Sequence, residues 1–64
     1  MTFQFDSVTV SVEEKEDAPI FTVYDSSQEI LYQGESIYEA WYVLMKTLNN
    51  YRIFIPKALE KYLG

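Results

Sequence analysis

Residues 34–50 constrain this chain more than any other segment. Gly34 permits a sharp change of direction. Ser36 is a capping residue, and Glu39 three positions later completes the capping-box pattern. Ile37, Ala40, Trp41, Leu44 and Leu48 then recur at helical spacing on one face, and Asn49-Asn50 supplies a stop. The pattern predicts a helix over 36–48. A second stripe, Tyr38, Tyr42 and Met45 with Val43 nearby, runs beside the first. Only Glu39, Lys46 and Thr47 remain as a polar sector. A helix lying on one sheet leaves a wider polar face than this, so something further must cover it.

The segments before the helix read as strands. Residues 2–12 are rich in Phe, Val and Thr. Their alternation changes phase: Phe3 and Phe5 are odd, whereas Val8, Val10 and Val12 are even. One register cannot place all five on one face, and a bulge or bend at Asp6-Ser7 reconciles them. Glu13–Asp17 reads as an exposed turn closed by Pro19. Residues 20–25 form a second strand, Asp25-Ser26-Ser27-Gln28 has turn chemistry, and residues 29–33 form a third. Short links between adjacent strands favour an antiparallel meander. After the helix, Tyr51, Ile53 and Ile55 alternate like an extended segment. Pro56 suits the first turn of a helix whose apolar face is Ala58, Leu59, Tyr62 and Leu63. So short a helix must dock to persist. The expected fold is α+β over residues 1–64 as one domain. It has a three-stranded antiparallel meander, a main helix on one face and a short C-terminal helical segment.

Composition removes several kinds of chemistry. The 64 residues include no Cys and no His. That excludes disulfides, thiolate metal sites and the commonest general base. The carboxylates sit mainly in the Glu13–Asp17 turn, whereas acid catalysis needs a carboxyl in an apolar pocket. A calcium loop with its central Gly and terminal Glu is absent. The serines have no His to activate them, and two glycines make no phosphate-cradling loop. No catalytic residue, metal site or cofactor is expected. No apolar run is long enough to span a bilayer and no signal peptide is present, so the expectation is a cytoplasmic protein without a membrane partner.

Charge is divided along the chain. Residues 1–39 sum to −8 and residues 40–64 to +3, for a net −5. This opposes direct nucleic-acid binding, which draws its affinity from phosphate contacts. Of the eleven aromatics, Tyr24 and Tyr32 suit a stacking platform, but their neighbours are Asp25 and Glu29 rather than basic residues. Tyrosines also suit protein interfaces. Trp41 is expected in the core, and Tyr38, Tyr42 and Met45 are the candidates for self-association as a homodimer.

The stretch Tyr32-Gln33-Gly34-Glu35-Ser36-Ile37-Tyr38-Glu39-Ala40 resembles the strand-to-helix joint of small HicB-like antitoxin domains. The resemblance covers residues 19–48. It implies an acidic domain that blocks a small ribonuclease toxin and often oligomerises. The strand sequence between residues 2 and 25 departs from that family's, and no DNA-binding domain is expected in a chain of this length.

These readings converge on a non-catalytic acidic protein that binds and blocks or modulates a protein partner, itself a handler of nucleic acid. Phage anti-defence proteins, anti-CRISPR proteins among them, and antitoxins are its analogues. Carboxylates on a rigid sheet can occupy a groove evolved for phosphates. The candidate contacts are Glu13, Glu14, Glu16, Asp17, Asp25 and Glu29. Two alternatives stand beside it: a structural or regulatory dimer module without an inhibitory role, and a weak RNA binder using Arg52, Lys57 and Lys61.

Overall fold

Val8, Val10 and Val12 alternate with polar residues along one strand, and Phe21 and Val23 do so along the next. Each strand therefore has one face to hide. In a computed structural model describing residues 1–64, these faces meet one helix. Four strands, β1 (Thr2–Phe5), β2 (Val8–Glu14), β3 (Pro19–Tyr24) and β4 (Ile30–Gly34), form a sheet in the order β1-β2-β3-β4. Every neighbouring pair is antiparallel. Helix α1 (Ile37–Leu48) and a 3-10 helix (Lys57–Tyr62) follow.

The expected three strands are thus four, and the reason lies in the phase change. Asp6-Ser7 is not a bulge within one strand but the turn of a hairpin. Asp6 takes a positive φ of 56° there, a conformation Asp tolerates better than most residues. Phe5 pairs with Val8 and Phe3 with Val10. Partners across an antiparallel ladder share a face, so the odd and even apolar residues all face the helix.

Ten apolar side chains make the core: the three valines of β2, Phe21 and Val23 of β3, Ile37, Ala40, Trp41 and Leu44 of α1, and Leu59 of the 3-10 helix. No polar side chain is buried. The helix spacing of the sequence is obeyed, with Trp41 packing edge-on to Phe5 at 5.6 Å between ring centres. The tail supplies part of the missing cover, while Tyr38 and Tyr42 stay exposed. Ile53 and Ile55 are half-buried, Leu59 is fully buried, and Tyr62 meets Phe21 edge-on at 5.4 Å. The last segment is 3-10 because its six residues are too few for a self-supporting α-helix.

Both ends of α1 are closed. The Ser36 Oγ accepts the Glu39 N–H at 3.2 Å. The return half of the capping box runs through a third residue: the Ser36 N–H donates to the Tyr32 hydroxyl at 3.2 Å, which donates to Glu39 Oε2 at 3.4 Å. At the other end Asn49 adopts the left-handed conformation. The N–H groups of Asn49 and Asn50 return to the carbonyls of Lys46 and Met45, a Schellman closure. No helix is long and apolar enough to cross a membrane.

Candidate functional site

The six candidate carboxylates fall into two groups at opposite ends of the sheet. Glu13, Glu14, Glu16 and Asp17 surround the β2–β3 turn, while Asp25 and Glu29 belong to the β3–β4 turn. Strand β3 separates them, and six residues of strand span about 20 Å. Chain direction also carries Glu35 to the β2–β3 end, since Gly34 pairs with Phe21. The β2–β3 end thus holds five carboxylates, with Lys15, Lys61 and the Met1 ammonium among them, while Asp6 joins Asp25 and Glu29 at the other end, so the two ends differ little in net charge.

The two ends differ in what their carboxylates already do. Asp25 Oδ1 accepts three hydrogen bonds from its own loop: the Ser27 N–H at 3.0 Å, the Ser27 hydroxyl at 2.7 Å and the Glu29 N–H at 3.0 Å. The Ser27 hydroxyl chiefly, and then the Glu29 amide, hold its pKa below the ordinary Asp value. Asp25 is a loop organiser, and Gln28 completes the turn with a φ of 66°.

At the β2–β3 end, Glu14 accepts a hydrogen bond from the Tyr62 hydroxyl and pairs with Lys61 at 3.0 Å. The Tyr62 bond is the larger cause that lowers its pKa, followed by Lys61. Both partners shift upward in turn, each chiefly through its hydrogen bond to Glu14. Glu14 thus ties the tail to the hairpin. Glu13 pairs with Lys15 at 3.4 Å on an exposed surface, a contact of little energetic weight. Glu16 and Asp17 make no ion pair or side-chain hydrogen bond. The Lys15 N–H bonds to the Ala18 carbonyl at 3.1 Å and closes the turn that presents them. A shallow groove of about 210 Å³ lies between this turn and Tyr62. No three acidic side chains are grouped to hold a metal ion.

The aromatic candidates separate. Tyr38 is 59% exposed and Tyr42 55%, while Met45 is half-buried against the core. Lys46 Nζ lies 5.8 Å from the Tyr42 ring centre. Sequence reasoning missed Phe54, which is 86% exposed. Its signal was available: with Ile53 and Ile55 turned inward, alternation turns Phe54 outward. The Trp41 indole N–H donates to the Ile53 carbonyl at 3.2 Å and holds the tail against the helix flank. Tyr42 and Phe54 are the chain neighbours of that bond, and Tyr38 lies one helical turn before Tyr42. Of the basic candidates, Arg52, Lys57 and Lys61 are all exposed, and Lys61 is committed to Glu14.

The class these observations define is an α+β domain, a four-stranded meander under one helix layer, with an acidic turn at one end and exposed aromatics on α1 and the tail. No family model, no curated protein and no solved structure matches the chain.

Proposed function

We propose that this protein is a non-catalytic binding domain that engages a protein partner through the acidic β2–β3 end. The partner surface is basic, of the kind that proteins handling nucleic acid present to phosphates, and binding there blocks or modulates it. One observation carries the reading: Glu16 and Asp17 stand free of ion pairs on a turn that Tyr62 and Lys61 fasten to the body through Glu14. A fixed, unneutralised anionic projection suits rapid association with a cationic groove. The antitoxin-like joint at residues 32–40 agrees with this reading but does not carry it.

The test is association with proteins captured from cells of the source organism, compared between the wild type and Glu13→Lys/Glu16→Lys/Asp17→Lys. Loss of a captured partner in the triple variant, with circular dichroism unchanged, supports the reading. Retention of that partner, with its loss in Tyr38→Ala/Tyr42→Ala/Phe54→Ala, moves the contact to the exposed aromatics.

A further inference from the structure

Strand β1 is the sheet edge with the fewest protections. It reads Thr2-Phe3-Gln4-Phe5, with no charge, no Pro and no bulge. Natural edges commonly carry one of these to discourage pairing. The opposite edge, β4, has a register irregularity against β3 and runs directly into α1.

The hydrogen-bond phase of β1 is fixed by its start. The Val12 N–H donates to the Met1 carbonyl at 2.7 Å, and the Met1 nitrogen donates to the Val12 carbonyl at 3.1 Å. Met1 and Val12 are therefore a hydrogen-bonded pair. Alternation along the ladder makes Phe3/Val10 and Phe5/Val8 the next ones. Thr2 and Gln4 sit at the intervening positions, so the main-chain N–H and C=O of each point away from β2. Both residues are exposed. The apolar side of this edge is also incompletely covered: Phe3 and Phe5 are only half-buried, and Met1 is 56% exposed.

We propose that β1 pairs antiparallel with β1 of a second copy of this chain, joining two four-stranded sheets into one of eight strands. A two-fold axis at Phe3 sets Thr2 opposite Gln4 of the other copy, twice. Each such pair exchanges both of its outward groups, so every exposed donor and acceptor of the edge finds a partner. The same register sets Phe3 against its own mate at a non-hydrogen-bonded position, where cross-strand side chains approach most closely. Phe5 then faces Met1 of the other copy. No side chain of β1 is charged, and the Met1 ammonium, held on the Val12 carbonyl, lies opposite Phe5 of the other copy, so no like charges are opposed along the seam. Four residues of strand make a short seam. The dimer is therefore concentration-dependent rather than obligate.

The register has a sharp test, because the chain has no Cys. Opposed Cα atoms at a non-hydrogen-bonded position lie about 4.5 Å apart, inside the disulfide range. Phe3→Cys is expected to give a disulfide-linked dimer under mild oxidation. Thr2→Cys is expected to stay monomeric, since its Cα atoms are offset by two residues and lie roughly 9 Å apart, beyond that range. In parallel, sedimentation of the wild type from 10 μM to 1 mM should move from 7.6 kDa toward twice that mass. Gln4→Pro removes an outward N–H and the exposed bond from Gln4 Nε2 to the Asp6 carbonyl but leaves the β2 ladder whole, so it should remain a monomer with unchanged circular dichroism. Gln4→Lys, which keeps the N–H but adds a charge to the edge, should weaken the dimer at least tenfold. A wild type that stays at 7.6 kDa throughout overturns the proposal. So does equal cross-linking of the two cysteine variants. Dimerisation that survives Gln4→Pro and Gln4→Lys but is lost in Tyr38→Ala/Tyr42→Ala also overturns it and assigns the interface to the helix.

Discussion

Tyr32 folds its ring over Gly34, two residues along the same face of β4. A Cβ added to Gly34 would lie 2.5 Å from the Tyr32 hydroxyl oxygen and 2.9 Å from Cζ. No glycine in the chain has a positive φ, so Gly34 is needed for this close approach rather than for a special backbone angle. The same hydroxyl accepts from the Ser36 N–H and donates to Glu39, so the room left by Gly34 is what seats the start of α1.

Gly34→Ala is expected to push the Tyr32 ring aside and break that relay. Overpacking of this kind costs about 1–3 kcal/mol. In a Tyr32→Ala background the same substitution should cost little, because nothing occupies the space. A double-mutant cycle by urea denaturation checks this, and coupling below about 0.5 kcal/mol would count the two residues as independent.

Trp41 joins three layers: its ring packs on Phe5, its face lies in the core at 3% exposed, and its N–H holds the Ile53 carbonyl. Trp41→Ala should cost about 3–5 kcal/mol. A domain of this length has a total stability of only about 3–10 kcal/mol, so much of the variant should be unfolded at 25 °C. Trp41→Phe keeps most of the packing and loses the indole bond. It should stay folded while residues 50–56 become open to limited proteolysis. In the wild type the single tryptophan should emit at short wavelength and report unfolding at the same midpoint as circular dichroism.

The Glu14–Tyr62–Lys61 tie has a pH window whose limits follow from its shifts. Glu14 has a folded pKa below its ordinary 4.5, so its contribution is present above 4.5 and fades as pH falls through the lowered value. Tyr62 and Lys61 are raised above 10.0 and 10.5. Their contributions are complete below those values and fade as pH climbs through the raised ones. Tail docking, read from near-ultraviolet circular dichroism of Tyr62 and Trp41, should be flat between these limits and weaken outside them. Glu14→Gln should flatten both limbs, since the shifts of Tyr62 and Lys61 run chiefly through Glu14, whereas Tyr62→Phe should shrink the acid limb and leave only the Lys61 part of the alkaline one. Glu14 and Lys61 are exposed and the Tyr62 hydroxyl reaches solvent from a half-buried ring, so the changes in melting temperature should be small.

The helix was legible because three local signals agreed: cap, periodic face and stop fell within residues 36–50. Its excess apolar flank also announced the tail, whose Ile53, Ile55 and Leu59 now cover part of it. The first hairpin was not legible, because Asp6-Ser7 lacks the glycine that ordinarily marks a two-residue turn. The phase change from Phe5 to Val8 was the signal, since across such a turn partners have opposite parity. For the acidic surface, sequence order misleads: Asp17 and Asp25 are eight residues apart but lie at opposite ends of β3.

That separation yields a last expectation, which distinguishes carboxylates that present charge from those that hold the fold. Asp25 accepts three hydrogen bonds within its turn, and its lowered pKa records how strongly the loop prefers it ionised. Asp25→Ala leaves the Ser27 and Glu29 amides without their acceptor, on a loop where water can replace it. The effect should be local: faster amide exchange at Ser27 and Glu29, with β2 and α1 unaffected. Asp25→Lys should do the same and add repulsion toward no particular neighbour. Glu16→Lys and Asp17→Lys alter no hydrogen bond and should leave every amide rate unchanged. Acidification of the wild type should reproduce the Asp25→Ala pattern only below the ordinary Asp value of 3.8, because the folded pKa lies lower still. Amide exchange followed by nuclear magnetic resonance measures all of these. If Asp17→Lys quickened exchange around the β2–β3 turn as much as Asp25→Ala does around its own, the acids of that turn would be structural too, and the charge they offer a partner would no longer be free.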